Sequence, residues 1–160
     1  MPDLRSPLQL RPFALHDVRV VEGWLCGNGL SLPAGLLRHE WPQRLLADPR
    51  ITALIATVAG REVGFVRLDC GPDQVAELTL VVDPDCRRQG HGTEMFAHVM
   101  RLVRSISIRR LFVSIDLHNE PAIEFFVAQG FVDEGLVAGR RRMGRLVHAG
   151  DHQPPLEIEA

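Results

Sequence analysis

The sequence predicts a mixed α/β (α+β) domain with a mainly antiparallel central sheet and helices packed on both of its faces. Three observations predict it: apolar residues recur with helical spacing in three segments, short β-branched runs lie between and after these segments, and glycine, proline or aspartate separates the elements. The length of 160 residues suits one hydrophobic core. We therefore expect a single domain over residues 1–150 and a frayed tail over residues 151–160.

The first half of the chain has the pattern of a strand, two helices and three consecutive strands. Gly60 and Arg61 indicate a hairpin between the first two of these strands, so all three should pair antiparallel. We place these elements, in order, at residues 8–11 (strand), 15–26 and 36–47 (helices), and 51–59, 62–68 and 75–82 (strands).

The second half predicts two more helices and three more strands. Residues 93–104 carry a helical apolar stripe, and residues 111–115 form a short buried strand. Asn119 is a good N-cap for a helix over residues 120–128, and residues 131–137 and 142–147 form a last hairpin. The complete order is βααβββαβαββ, with no internal repeat.

Composition excludes several classes of function. The 18 basic and 20 acidic residues give a net charge of −2, and every basic residue is arginine, so a P-loop lysine or a lysine Schiff base is ruled out. The longest nearly apolar stretch, residues 51–60, is far shorter than the roughly 20 residues of a spanning helix. We expect a cytoplasmic protein that binds neither membrane nor nucleic acid, and we interpret the arginines at 140–142 and 145 as a solvated hairpin turn.

The cysteines give no sign of a disulfide framework or a metal site. Cys26, Cys70 and Cys86 are odd in number and lack the Cys-x-x-Cys spacing of zinc ligands. Reduced thiols packed as small apolar side chains fit this pattern best. We therefore expect no metal.

A glycine-bearing basic loop is the most informative segment. Gly90 and Gly92 let the backbone approach a ligand closely, and the first N–H groups of the following helix point into the same space. The helix dipole and the side chains of Arg87 and Arg88 add positive charge, so a phosphate or pyrophosphate suits this loop. A turn that merely joins a strand to a helix is the alternative.

Two common phosphate-binding motifs do not fit the loop. A Walker A loop requires a lysine, and the dinucleotide fingerprint requires a third glycine where this chain has Met95. The strand before the loop also belongs to a predicted antiparallel meander instead of a βαβ unit.

Two motifs together resemble those of a known superfamily. The first is Arg87-x-x-Gly90-x-Gly92 after the strand and turn of residues 80–84, and the second runs from Asn119 to Phe131. They are similar to the central motifs of the GNAT superfamily of acyl-CoA-dependent N-acyltransferases, and the resemblance covers roughly residues 51–137. The strand and helix order also fits.

The resemblance implies that the loop holds the pyrophosphate of acetyl-CoA, which serves as co-substrate. The strand at residues 80–82 would pair its backbone with the pantetheine arm. A bulge would splay this strand from the strand at residues 111–115, and the thioester would lie in the resulting V-shaped gap between the two strands (the V). Asn119 is an N-cap alone or also a contact near the pantetheine. The predicted cofactor-binding residues are Leu80, Val81, Val82, Arg87, Arg88, Gln89, Gly90, His91, Gly92, Thr93, Asn119 and Phe126.

Acyl transfer to an amine requires the neutral amine, because the ammonium has no lone pair. Removing a proton from an amine of pKa about 10.4 near neutral pH costs about 4 kcal/mol. Glu77 is the predicted catalytic residue, since members of the superfamily often carry a glutamate near this place that acts directly or through water. Strand alternation puts it on one face with Thr79 and Val81. A solvated glutamate at a strand start is the alternative interpretation.

The chain departs from the superfamily at the proton donor for the leaving thiolate. A tyrosine commonly fills this position in the second motif, but here it is Phe126, and the chain contains no tyrosine. A thiol of pKa about 8.5 is a tolerable leaving group near neutral pH, so this loss should matter less than loss of the base. Water, Ser114, Cys86 and His118 are the candidate replacements.

Two functions from different classes follow from the resemblance. The first is an N-acetyltransferase that moves acetyl from acetyl-CoA to a primary amine by direct attack in a ternary complex. Its acceptor is a small-molecule or protein amine, with an aminosugar as one candidate, and a homodimer is an open alternative to the monomer. The second is a non-catalytic acyl-CoA-binding or regulatory module, which the missing tyrosine would permit.

Overall fold

The structure is a computed structural model that describes residues 6–25 and 40–148. Its helices and strands follow the predicted order βααβββαβαββ. The strands are β1 (Leu8–Pro12), β2 (Ile51–Val58), β3 (Arg61–Cys70), β4 (Val75–Val82), β5 (Arg110–Ile115), β6 (Val132–Val137) and β7 (Arg140–Leu146). The helices are α1 (Val18–Leu25), α2 (Trp41–Ala47), α3 (His91–Ser105) and α4 (Glu120–Ala128).

All seven strands form one sheet in the order β1-β2-β3-β4-β5-β7-β6. Every neighbouring pair is antiparallel except β4 and β5, which are parallel. Parallel pairing requires a crossover, and α3 supplies it between β4 and β5, so these three elements form a βαβ unit. The expectation that the strand before the loop belongs to a meander instead of a βαβ unit was wrong, because β4 pairs antiparallel with β3 and parallel with β5. The predicted mixed, mainly antiparallel sheet is confirmed.

Apolar residues on the two faces of the sheet build two separate clusters. The larger cluster joins the inner faces of α3 and α4 to one face of the sheet, through residues such as Leu78, Val99 and Phe126. The smaller cluster joins α1 and α2 to the opposite face, through residues such as Trp24 and Val81. Helices therefore cover both faces, as the sequence predicts.

Some predicted boundaries need correction. The segment predicted as a helix from residue 15 starts with a 3₁₀ turn at Leu15–Asp17, and α1 follows from Val18. Both hairpins turn on an alanine–glycine pair with positive φ, at residues 59–60 and 138–139. The predicted strand ending at residue 59 thus stops at Val58, and β7 begins at Arg140 instead of residue 142. Residues 26, 36–39 and 151–160 lie outside the described residues.

The sheet opens between β4 and β5. These strands pair only over residues 75–77 and 110–112, so the remaining length of each strand lacks this partner. β4 continues its pairing with β3, and β5 pairs along its whole length with β7. The predicted V is therefore present, but the predicted bulge is wrong: the β3–β4 register runs unshifted from Gly64–Val82 to Cys70–Ala76. The two parts of the sheet separate beyond this short pairing because β4 stays paired with β3 and β5 stays paired with β7.

Candidate active site

The backbone of β4 forms one wall of the V. The Asp83 N–H donates to the Val63 carbonyl at 2.8 Å, so the backbone groups of this odd-numbered residue are directed toward β3. Because these directions alternate along an antiparallel strand, Val81 also bonds toward β3. Leu80 and Val82 direct their N–H and C=O groups the other way, into the gap. An extended ligand could pair with these two residues as a strand would.

The N-terminus of α3 stands at the open end of this wall. Gly90 precedes the helix with φ +83°, a conformation that favours glycine. The Glu94 N–H makes the first bond of the helix, to the Gly90 carbonyl at 3.1 Å. The N–H groups of residues 91–93 are thus without an intrahelical acceptor and are available to an anion.

Arg87 and Arg88 lie in the loop that leads into these amides. Both side chains are exposed, and neither makes an ion pair or hydrogen bond within residues 6–25 and 40–148. The Asp83 carboxylate accepts from the Asp85 N–H at 2.9 Å and so holds the turn that leads into the loop. The loop that precedes α3 therefore carries two guanidinium groups that no carboxylate of the described residues neutralises.

The predicted loop residues face two different directions. Gly92 faces α4: a Cβ built there would lie 3.3 Å from the Phe125 ring and 3.7 Å from a Val82 methyl. Arg88, Gln89 and His91 instead help to line a cavity of about 540 Å³ on the β2–β3 side of α3. The structure therefore brings Gly92 and Val82 together at the V, while these three side chains lie against a separate space.

The second motif positions α4 against α3. The Asn119 side chain accepts from the Ala122 N–H at 3.3 Å, as an N-cap does. Phe126 is buried, with its ring 5.0 Å from those of Phe125 and Phe131. Sequence reasoning singled out Phe126, but Phe125 is the ring that adjoins Gly92. Because the two phenylalanines are adjacent in the sequence, the sequence alone does not show which ring faces α3.

Glu77 lies where the V begins. It is half-buried and belongs to the last residue pair that joins β4 to β5, opposite Phe112. Burial raises the pKa of its carboxyl group, and the nearby negative charge of Asp69 raises it further; Arg67, Arg142 and Arg140 act in the opposite direction. Such a shift suits a group that must accept a proton near neutral pH.

Asp69 and Arg67 lie on β3 beside Glu77. Asp69 is the cross-strand partner of Glu77, and the Arg67 guanidinium donates to both Asp69 carboxylate oxygens at 2.8 and 2.9 Å. No local sequence signal pointed to this cluster, because it depends on the register of β3 against β4. Period-two spacing of Arg67 and Asp69 could only have put them on one face.

Two arginines of β7 complete the surroundings of Glu77. The Arg142 guanidinium lies 3.7 Å from the centre of the Phe112 ring, and Arg140 donates to the Ser114 hydroxyl at 3.0 Å and to the Ser114 carbonyl at 3.1 Å. The interpretation of these arginines as a solvated turn was wrong. They belong to a strand and are half-buried on the face of Glu77.

The comparison with known families agrees with this arrangement. The sequence model described as the Acetyltransferase (GNAT) family matches residues 24–131, more than half of the chain. This chain belongs to the acetyltransferase (GNAT) family. The resemblance stated from the two motifs is thereby confirmed.

Named relatives of this GNAT chain align with only part of its sequence. YwnH of Bacillus subtilis strain 168, which carries the name of a phosphinothricin acetyltransferase, is 31% identical over 44% of this chain and 44% of its own length. The L-amino acid N-acetyltransferase AaaT of Escherichia coli K12 is 26% identical over 61% of this chain and 63% of its own length. The alignments thus span less than two thirds of either relative.

Solved structures share the fold over most of the chain. A chimera of the spermidine N-acetyltransferase SpeG from Vibrio cholerae superposes with a TM-score of 0.75 at 18% identity, covering 88% of this chain and 96% of that one. An acetyltransferase from Thermus thermophilus gives a TM-score of 0.73 at 23% identity, covering 88% and 97%. At these identities the likeness is one of fold.

The described residues contain neither a membrane-spanning helix nor a cluster of metal ligands. No helix within residues 6–25 and 40–148 has the length and apolar character needed to cross a membrane. In the same part of the chain, no three histidine, cysteine, aspartate or glutamate side chains come together as metal ligands. Cys70 and Cys86 are free thiols.

Proposed function

We propose that this chain is an N-acetyltransferase that transfers the acetyl group of acetyl-CoA to a primary amine by direct attack in a ternary complex. One observation carries the proposal: the V between β4 and β5 connects the unpaired amides of residues 91–93 at its mouth to the half-buried Glu77 at its apex. Anion binding and proton acceptance are thus at opposite ends of one slot. Acetyl-CoA requires both ends, because its diphosphate and its thioester are far apart.

The chain's own groups fit acetyl-CoA without a metal ion or lysine. The N–H groups of residues 91–93 and the side chain of Arg87 would bind the diphosphate, whereas the Arg88 side chain lines the separate cavity on the β2–β3 side of α3. The inward-facing backbone groups of Leu80 and Val82 would pair with the amides of the pantetheine arm. Val81 would not pair with the arm, because its backbone is directed toward β3; its side chain packs in the smaller core cluster.

The transfer would proceed with one proton acceptor supplied by the protein. Glu77 takes a proton from the acceptor ammonium, directly or through water, and so offsets the cost of about 4 kcal/mol for producing the neutral amine. The amine nitrogen then bonds to the thioester carbon, and an inward N–H of β4 steadies the developing oxyanion. The nitrogen of this intermediate, now positively charged, gives its second proton to water, the carbon–sulfur bond breaks to leave the amide, and the thiolate takes a proton from solvent, since the Phe126 ring has none to donate.

The named acceptors of relatives support an amine as the acceptor class. YwnH is named for phosphinothricin, AaaT for L-amino acids and SpeG for spermidine, and each of these compounds contains an amine. The aminosugar and the homodimer expected from the sequence stay predictions. The alternative of a non-catalytic acyl-CoA-binding module is separated by the experiment below.

Two measurements on the full-length protein test the proposal. Acetyl-CoA should raise the melting temperature, since a ligand that binds only the folded state stabilises it. Addition of an acceptable amine should then speed the release of free CoA thiol. Thermal stabilisation without amine-dependent thiol release across a broad amine panel would identify the binding module instead, and absence of both effects would remove the acyl-CoA site.

A further inference from the structure

We propose that the acceptor amine also carries an acid group, and that Arg140 and Arg142 bind this group on the sheet face beside Glu77. The inference rests on the proposed function and specifies its substrate class. It comes from the two guanidinium groups that β7 places around the apex of the V.

Strand alternation puts both arginines on the face of Glu77. Met143 lies in the larger core cluster with α3 and α4, so Arg140 and Arg142 are directed to the opposite face. On β5, Phe112 and Ser114 share that face, because their neighbours Leu111 and Val113 lie in the same core cluster. The path from Glu77 to Arg142 therefore crosses a single residue, Phe112, over whose ring the guanidinium lies.

Contacts to the sheet hold both guanidinium groups in place. Arg142 stacks on Phe112 and its Nε donates to a Glu134 carboxylate oxygen at 3.2 Å, while Arg140 is fastened to Ser114 through its hydroxyl and its carbonyl. The Arg142 side chain is still 32% exposed, which leaves it accessible to a ligand. Side chains already ordered lose less entropy when a ligand binds.

The charges around Glu77 favour an acceptor with an acid group over a polycation. Arg67 is engaged by Asp69 in a two-point ion pair, so these two groups largely cancel each other. From β7, Arg140 donates to the neutral Ser114, and Arg142 shares the Glu134 carboxylate with Arg110, so the arginines on this face still leave a net positive charge beside Glu77. A guanidinium matches the planar geometry of a carboxylate and repels a second ammonium group. The same two arginines therefore favour acceptors with an acid group and disfavour polyamines.

Matched acceptor pairs test this selection. CoA thiol release by the full-length protein is measured with L-amino acids, with the corresponding amino acid amides and with spermidine. We expect kcat/KM for the acids to exceed that for their amides and for spermidine by about tenfold or more. The comparison is stringent, because removing the carboxylate charge lowers the pKa of the α-amine. A larger fraction of the amide is then neutral and able to attack, so any preference for the acid must come from binding.

Substitution of the arginines assigns the selection to them. R140Q and R142Q should each raise KM for the acid acceptor by about tenfold, with little change in KM for acetyl-CoA. Because loss of either arginine also raises the pKa of Glu77, kcat is compared on the plateau of each pH profile, where KM for the amide acceptors should change far less than KM for the acids. R141Q is the control, because the Arg141 side chain pairs with Asp133 and alternates to the other face. Thermal melting verifies that each variant is folded.

The outcomes separate the inference from the proposed function. Efficient transfer to amides or spermidine without preference for acids, or an unchanged acid-to-amide ratio in R140Q and R142Q, overturns the inference and leaves the acetyltransferase intact. Thiol release that no amine of any class accelerates overturns both.

Discussion

Asp69 lies directly opposite Glu77 on the neighbouring strand, and both side chains are on the sheet face that α1 and α2 partly cover. Two carboxyl groups in this relationship resist simultaneous ionisation, which adds to the effect of burial on the pKa of Glu77. The Arg67 guanidinium donates to both carboxylate oxygens of Asp69. The proposed base is thus tuned by a residue that need not touch the substrate.

Replacement of Asp69 by asparagine should lower the pKa of Glu77. The change removes a negative charge that raises this pKa and releases Arg67, whose positive charge lowers it. Because the base works in its ionised form, the rate increases with pH through this pKa, and the acid limb of the kcat profile should shift to lower pH. The profile of D133N, which alters an aspartate paired with Arg141, should stay in place. An unshifted limb in D69N would remove Asp69 from this role.

Glu77→Gln should reduce kcat mainly at low pH. Without the carboxylate, the ammonium must lose its proton to solvent, so the deficit should shrink as the pH approaches the pKa of the amine. General-base catalysis of this kind is worth about 10²–10⁴-fold in rate. Glu124→Gln, on the exposed side of α4, serves as the control for a lost carboxylate. A wild-type pH profile in E77Q would show that Glu77 is a solvated strand residue.

Gly90→Ala and Gly139→Ala form a matched pair that separates stability from binding. Both glycines have positive φ, +83° and +78°, and a Cβ would meet no atom within 4 Å at either one. Each substitution should therefore cost a similar strain of about 1–2 kcal/mol, measured by thermal or denaturant unfolding. Only G90A should weaken acetyl-CoA binding in calorimetric titration, because only Gly90 sets the direction of the first amides of α3. Equal affinities in both variants would contradict the phosphate site.

Asp17→Asn should destabilise the fold by about 1–3 kcal/mol at neutral pH. The Asp17 carboxylate is fully buried, accepts from both Arg11 terminal nitrogens at 2.8 Å and from the Ala14 N–H, and the hydrogen bonds from Arg11 are the main cause of its lowered pKa. A carboxyl whose pKa is lowered on folding stabilises the fold at pH values above its ordinary pKa, and this stabilisation is lost as the pH falls from the ordinary pKa through the lowered one.

The two proteins should therefore converge in stability as the pH drops below about 4. Denaturant unfolding at a series of pH values measures this difference. Asp48→Asn is the control, since Asp48 also binds an arginine, Arg50, but lies at the surface, where screening by water leaves little effect. A constant difference between wild type and D17N across the acid range would contradict the assignment.

The element order and the glycine-bearing loop before α3 follow from local sequence signals. Helical and strand periods, the N-cap Asn119 and the glycines of the loop each act within a few residues, so the sequence suffices to predict them. The resemblance of the two motifs to the GNAT superfamily supplied the expectation of a V between two strands of the sheet. The predicted bulge failed because the V depends on which neighbour each strand follows, a property of the whole sheet.

The surroundings of Glu77 could not be predicted for the same reason. Asp69 meets Glu77 through the β3–β4 register, and Arg142 reaches it across Phe112 through the β5–β7 register. The chain distance between Glu77 and Arg142 hides this relationship from any local pattern. The arginines after Gly139 resemble a charged turn until the strand that contains them is placed in the sheet.

A crystal structure of the protein with bound CoA is the most direct test of the central claim. The account predicts that diphosphate oxygens lie about 3 Å from the N–H groups of residues 91–93 and that the pantetheine arm runs along Leu80 and Val82 with its sulfur toward Glu77. CoA bound elsewhere, or a diphosphate that contacts none of these amides, would contradict it.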